Sequence, residues 1–160
     1  MDKFFTYLNT IPMPVWLAMM FAPKHHLTER LSRSSTVFSI GALHYVISLI
    51  IAMRQGQRDG NKIDFMSLEG VRSMLGTREG TTAAWTHMIA LDLFTGAWIY
   101  RQCRGLSAPA WVRIPSLFFT LMSGPFGLLL FLIWWTFGAN KGEALPDIDM
   151  SSDKTEHTQS

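Results

Sequence analysis

The chain has 160 residues, of which 48% are hydrophobic and only 16% are charged, with a formal net charge of +2. Because a soluble domain carries about 25% charged residues, this composition argues against an ordinary soluble enzyme and against a disordered chain. The small net charge argues against a nucleic-acid partner. The single cysteine, Cys103, excludes an internal disulfide and a cysteine-based metal cluster.

The apolar residues are collected in four blocks, most of them close to the roughly 18–20 residues that a helix needs to cross a bilayer. The blocks cover approximately 4–22, 35–53, 81–100 and 111–137. In the first block, Pro12 and Pro14 predict a kinked helix, and Pro23 argues against a cleaved signal peptide. Between the second and third blocks, apolar residues at spacings of three and four over 64–75 predict an amphipathic helix at the interface.

These blocks predict an all-α fold, a four-transmembrane-helix bundle with a short interfacial amphipathic helix between helices 2 and 3. We expect this membrane domain over residues 1–140 and a disordered, polar, acidic tail over 141–160. The connection after the first block contains His25 and His26, which we expect in a solvated loop. The lipid bilayer is the expected surrounding, in a bacterial inner (plasma) membrane, and the distribution of Lys and Arg leaves the orientation undecided.

Ionisable residues inside the apolar blocks are the candidates for function, because charge in hydrocarbon is costly. Asp92 lies near the middle of the third block. At 1.5 Å per residue, His44 and His87 fall in the same central slab as Asp92. Gly124 and Pro125 approach this layer from the other direction, so the slab predicts a buried polar pocket. His87 and Asp92 are about 140° apart around their helix, so other blocks must contribute.

Structural roles remain open for each of these residues. Asp92 is alternatively an anchor, hydrogen-bonded to His44 or paired with Arg113, and the Gly124–Pro125 pair is alternatively a packing kink. The chain contains no Gly-rich phosphate loop, no nucleophile elbow and no zinc-binding helix motif. Proton chemistry on an apolar substrate, or binding without chemistry, is what remains.

The third and fourth blocks contain Ala84-Trp85-Thr86-His87, Asp92-Leu93-Phe94 and Trp98-Ile99-Tyr100, with a later Gly124-Pro125-Phe126-Gly127-Leu128-Leu129. This pattern resembles the ABA4-like family of small integral membrane proteins. It covers approximately residues 12–132. Plant members of the family are needed to make neoxanthin from violaxanthin, which implies a four-helix membrane fold and a carotenoid-like substrate. Gln102 stands where the plant members carry an aspartate.

The chemistry implied by this resemblance is isomerisation of an epoxide to an allenic alcohol, in which oxygen gains a proton and a polyene carbon loses one. No redox cofactor or metal is implied. Asp92 would protonate the oxygen, and His87 or His44 would accept the carbon proton. The predicted substrate-binding residues are Trp85, Phe94, Gly124 and Pro125. The alternatives are a non-enzymatic carotenoid-binding or accessory protein, acting as a homo-oligomer or with a partner membrane enzyme, and a small proton-coupled transporter.

Overall fold

The computed structural model describes residues 2–58, 60 and 64–139, so the predicted acidic tail at 141–160 lies outside the described residues. All regular structure in this range is helical, which confirms the all-α prediction. The elements are α1 (Asp2–Thr10), α2 (Met13–Phe21), α3 (His26–Ser32), α4 (Ser35–Arg58), α5 (Leu68–Leu75), α6 (Arg78–Gly105), α7 (Ala110–Ser123), α8 (Pro125–Trp134) and a π-helical segment (Trp135–Ala139).

The first apolar block forms two short helices, α1 and α2, joined at Pro12. Pro12 itself keeps a helical conformation (φ −72°, ψ −19°), and its carbonyl accepts hydrogen bonds from Val15 and Trp16. Because proline at 12 and at 14 supplies no N–H to the turn before it, the helical ladder is interrupted here. The kink predicted at these prolines is confirmed.

The long helix α6 is the axis on which the other elements pack. α1 and α2 run parallel to it, since Phe5 packs on Trp85 near its start and Trp16 packs on Gly96 further along. α4 runs antiparallel to α6, as shown by contacts of Phe38 with Phe94, Gly41 with Ala90, and Tyr45 with His87.

The connection from 24 to 34 is not the solvated loop that we expected. It contains the helix α3, and the Nδ1 atom of His25 accepts a hydrogen bond from the backbone N–H of Leu27 at 3.2 Å. The ring of His26 stacks on that of His25 at 4.6 Å between centroids. A histidine at the N-cap was overlooked because its side chain is an uncommon cap compared with Ser, Thr, Asp or Asn.

The amphipathic segment predicted at 64–75 contains the helix α5, which begins four residues later than expected. Ser67 is its N-cap and accepts a hydrogen bond from Gly70 N–H at 3.1 Å. The Asp64 carboxylate accepts the Ser67 hydroxyl at 2.5 Å and the Met66 N–H at 2.8 Å, so residues 64–67 form a turn rather than the first turn of the helix.

The fourth apolar block forms two shorter helices rather than the one continuous membrane-crossing helix that we expected. α7 and α8 fold back on each other at Gly124, which has φ +47° and ψ −95°. Gly127 in α8 lies so close to the backbone of Ser116 and Thr120 in α7 that a Cβ atom would overlap both. The rings of Phe119 and Phe126 also meet across the turn, at 5.0 Å between centroids.

The result is a hairpin, α7–α8, packed beside the second half of α6. Phe131 in α8 is fully buried and lies edge-to-face with Trp98 of α6, at 5.6 Å between ring centroids. α7 has half as many residues as α6, 14 against 28, so its tip at Gly124 reaches the level of Asp92, near the midpoint of α6. The bundle therefore consists of three long elements, namely α1–α2, α4 and α6, and a hairpin, α7–α8, that extends along only half of α6.

Among the helices of the described ranges, α4 alone has both the length and the apolar composition for crossing a membrane. The segment Pro125–Gly138 is apolar but shorter. Four membrane-crossing helices are thus not confirmed.

Candidate functional site

The hairpin tip closes one end of a cavity of about 400 Å³ that contains Asp92, referred to below as the Asp92 cavity. Its walls come from three places: the α1–α2 junction, the middle of α6, and the turn between α7 and α8. The lining residues are Asn9, Pro12, Met13, Trp16, Trp85, Met88, Ile89, Asp92, Leu121, Met122, Ser123, Gly124 and Pro125. Asp92 is the one titratable side chain in this lining.

The Asp92 carboxyl group lies directly against the backbone of Gly124. A Cβ atom built on Gly124 would stand 2.5 Å from Oδ1 and 3.2 Å from the carboxyl carbon of Asp92. Glycine is therefore required at position 124 for two reasons. Its positive φ is unfavourable for residues with a side chain, and the Asp92 carboxyl group occupies the space that a Cβ atom would need. Within the described part of the chain, no hydrogen bond to the Asp92 carboxyl group is formed, so its oxygens are available to a ligand.

Aromatic side chains form the apolar walls and are held in place. The Trp85 ring nitrogen donates a hydrogen bond to Oδ1 of Asn9 at 3.0 Å, which ties α6 to α1. The Trp16 ring is buried, with its six-membered edge against Gly96, where a Cβ atom would overlap it. Asn9 and Trp16 were missed by sequence reasoning, since they belong to the first block, which carries no ionisable residue near this level.

The predicted site residues are only partly brought together. Asp92, Trp85, Gly124 and Pro125 share the Asp92 cavity. Phe94 does not line it: its ring is half exposed and packs edge-to-face on Phe38 at 5.4 Å. The substrate pocket predicted around these five residues therefore contains four of them.

The two histidines predicted to work with Asp92 lie outside its cavity. His44 lines a separate, more apolar cavity of about 180 Å³ between α1–α2, α4 and α6, and its Nδ1 atom lies 2.7 Å from the carbonyl oxygen of Ile40. His87 is exposed and packs against Tyr45 at 4.8 Å between ring centroids. It is near enough to Asp92 to interact with its charge. The shared pocket predicted from depth alone is thus not formed, because depth does not specify which face of a helix a residue occupies.

Arg113, considered as an ion-pair partner for Asp92, lies near the other end of the hairpin. Its guanidinium group donates to the backbone carbonyl of Met20 at 3.4 Å, and its Nε atom is buried without a hydrogen-bond partner in the residues that the structure describes. No group of three or more His, Cys, Asp or Glu side chains with the spacing for a metal ion occurs among those residues either.

Comparison with known proteins places these features in a family. The model of the family described as "ABA DEFICIENT 4-like" matches residues 3–131, which include every residue of the Asp92 cavity. The chain belongs to the ABA4-like family. This match confirms the family resemblance that the sequence showed over approximately residues 12–132.

A relative of this family member is "Protein ABA DEFICIENT 4, chloroplastic" of Arabidopsis thaliana, 26% identical over 97 residues. The aligned part is 59% of this chain and 44% of the relative, so the chain spans less than half of the relative's length. The relative is a chloroplast protein by its name, and a bacterial inner membrane is not supported as the location of this chain. No solved structure matches the chain significantly.

Proposed function

We propose that the protein is an integral membrane protein that binds a carotenoid-like molecule in the Asp92 cavity and isomerises its epoxide end group. Membership of the ABA4-like family supports the carotenoid-related part of this role. The observation that carries the site is a single carboxyl group in a mainly apolar cavity, placed against the tip of the α7–α8 hairpin.

Exposed apolar surface supports the membrane part of the proposal. α4 has 24 residues, and only 11% of its most apolar window is buried inside the bundle. A core helix of a soluble protein buries its apolar face, whereas lipid is a favourable surrounding for one that is apolar on all sides. Helix α6, with 28 residues, is about 42 Å long and exceeds the roughly 30 Å hydrocarbon layer. In this arrangement α1–α2, α4 and α6 cross the bilayer, and the hairpin enters and leaves on the α3 side.

The size and chemistry of the Asp92 cavity fit the end group of a long apolar molecule. Its volume of about 400 Å³ lies within the roughly 300–1,000 Å³ of ligand pockets. That volume is suited to a terminal ring rather than to a whole carotenoid, so the polyene would extend along the apolar outer surface. The Asp92 carboxyl group is then the one titratable group in the lining that can contact an epoxide oxygen.

The Asp92 carboxyl group can serve both proton transfers of the isomerisation. In its neutral form it donates a proton to the epoxide oxygen as the bond from that oxygen to the ring carbon next to the polyene breaks. The resulting carboxylate then takes a proton from the adjacent polyene carbon, whose electron pair forms the second double bond of the allene. One proton is given and one is taken back, so the products are an allenic alcohol and a regenerated carboxyl group.

In this scheme neither histidine contacts the substrate. His87 lies outside the Asp92 cavity, and His44 lines a neighbouring cavity. A second function, carotenoid binding without conversion, is favoured by the same observation: Asp92 has no second titratable group beside it in the cavity lining. A proton relay for transport has less support, because Asp92 and His44 line separate cavities and His87 lines neither of them.

Conversion of a 5,6-epoxycarotenoid by the purified full-length chain in detergent tests this proposal. We expect allenic product by chromatography from the wild type, and a loss of roughly 100-fold or more in Asp92→Asn, since general acid–base catalysis contributes about 10²–10⁴-fold. Asp64→Asn is the matched control, because Asp64 is exposed and lies in the turn before α5. It should retain full activity.

Each outcome has a distinct meaning. Full turnover by Asp92→Asn would remove Asp92 from the mechanism. Saturable pigment binding without conversion, measured by the shift of the absorption spectrum, would replace the isomerase with the binding function. Absence of both binding and conversion would contradict the carotenoid role itself.

A further inference from the structure

A third cavity, of about 460 Å³, lies where α3 meets the C-terminal end of α6, and it is lined by three arginines. We refer to it as the arginine cavity. Its lining residues are Glu29, Arg33, Tyr100, Arg101, Gln102, Arg104, Gly105 and Leu106, none of which lines the Asp92 cavity. No part of the proposed isomerisation uses it.

Positive charge in the arginine cavity exceeds negative charge. Glu29 is the one carboxylate in the lining, and it pairs with Arg33 at 3.5 Å. For Arg101 and Arg104, no carboxylate within the described ranges lies at ion-pair distance. Arg33 also lies near enough to Arg101 for their like charges to repel each other. An anion in the cavity would relieve this repulsion.

The guanidinium group of Arg101 is held in a fixed position. It is partly buried and donates a hydrogen bond to the backbone carbonyl of Ser32, at the end of α3. A guanidinium group has five N–H donors in a planar fork, so further donors remain for a ligand. This fork matches the oxygens of a phosphate group and binds them in pairs.

We propose that the arginine cavity binds a phosphate-bearing anion through Arg101 and Arg104. Two sources share this chemistry, the headgroup of an anionic phospholipid and a soluble phosphate compound. The cavity lies at the end of α6, beyond its apolar segment, which is the depth at which headgroups lie and at which basic pockets between helices bind them. The assignment of a lipid headgroup as the ligand rests on the membrane placement proposed above. The assignment of an anion site does not depend on that placement.

The test measures binding to the purified full-length chain by native mass spectrometry and by thermal unfolding in a neutral detergent. The probes are phosphatidylglycerol, phosphatidylcholine, and inorganic phosphate or pyrophosphate. We expect phosphatidylglycerol to bind at least about tenfold more tightly than phosphatidylcholine, and Arg101→Gln to remove most of this preference.

Two further variants keep the interpretation clear. Arg104→Gln changes an exposed side chain and should fold normally, so a weakened preference in this variant cannot come from misfolding. Arg54→Gln is the matched control, because Arg54 is an exposed arginine of α4 at the opposite end of the bundle. It should leave lipid binding unchanged.

Binding of phosphate or pyrophosphate that depends on Arg101 and Arg104, with no preference for phosphatidylglycerol, would support the anion site and overturn the lipid source. Equal binding of both lipids and no binding of soluble phosphate would overturn the proposal, as would a preference that survives both substitutions. This measurement does not depend on carotenoid conversion. A failure of the anion-site proposal can therefore be distinguished from a failure of the isomerase proposal.

Discussion

Gly127→Ala perturbs the hairpin at its closest contact. A methyl group at this position would meet backbone atoms of Ser116 and Thr120, which cannot rotate away, so α7 and α8 must separate. Overpacking of this kind lowers the free energy of unfolding by about 1–3 kcal/mol, and a clash with backbone atoms lies at the upper end of this range. Replacing a glycine inside a helix by alanine offsets about 0.5–1 kcal/mol of this loss. The net loss of about 2 kcal/mol corresponds to a midpoint of thermal unfolding lower by roughly 4–8 °C for a chain of this size.

The assay is thermal unfolding of the detergent-solubilised protein, followed by tryptophan fluorescence. Trp98 and Trp134, near the buried ring of Phe131, report on the packing of the hairpin. Gly56→Ala is the matched control, since no atom lies within 4 Å of a Cβ at this position in α4. It should unfold at the same temperature or slightly above the wild type. An unchanged midpoint for Gly127→Ala would refute the close packing of α7 on α8.

Three further results are expected. Gly124→Ala should lower both stability and epoxycarotenoid conversion, because it strains a positive φ and displaces the Asp92 carboxyl group; wild-type turnover would contradict this. Tyr100→Phe should destabilise by about 1–3 kcal/mol in thermal unfolding, because the partly buried carbonyl of Pro23 loses its 2.7 Å hydrogen bond from the buried Tyr100 side chain. The hydrogen bond from the Ser67 hydroxyl holds the pKa of Asp64 below its usual range. The turn before α5 should therefore be fully stable at pH values above the usual pKa of an aspartate, and it should weaken as the pH falls through the lowered pKa of Asp64. A carboxyl NMR titration should give a higher pKa in Ser67→Ala, and an unaltered titration would exclude this hydrogen bond.

The helical class, the kink at Pro12 and the helix α5 were all predictable, because each depends on local chemistry that periodicity and proline reveal. The fold-back of the fourth block was not. A straight apolar helix and a hairpin of two shorter ones have the same composition, and a Gly-Pro pair is compatible with either a kink or a turn. The deciding fact is the close approach of Gly127 to Thr120, which depends on tertiary packing.

The candidate site was predictable in part for a similar reason. Asp92 was identified because an ionisable residue inside an apolar block is costly, whereas Trp85 was predicted from the family resemblance. His44 and His87 were placed at the right depth but do not face the Asp92 cavity. The contribution of Asn9 was not predictable, since nothing in the first block indicates which residues lie beside Asp92.

The distance between the two arms of the hairpin tests the central claim most directly. Trp111 and Phe137 are each 13 residues from Gly124 and are exposed, at 70% and 81%, so both accept a spin label without disturbing the core. Cysteines at these positions, in a Cys103→Ala background, would be measured by electron paramagnetic resonance in detergent. Packed helices lie 8–10 Å apart, so the hairpin predicts labels within about 20 Å of each other. A single continuous helix would hold them about 40 Å apart, and that distance would contradict the account.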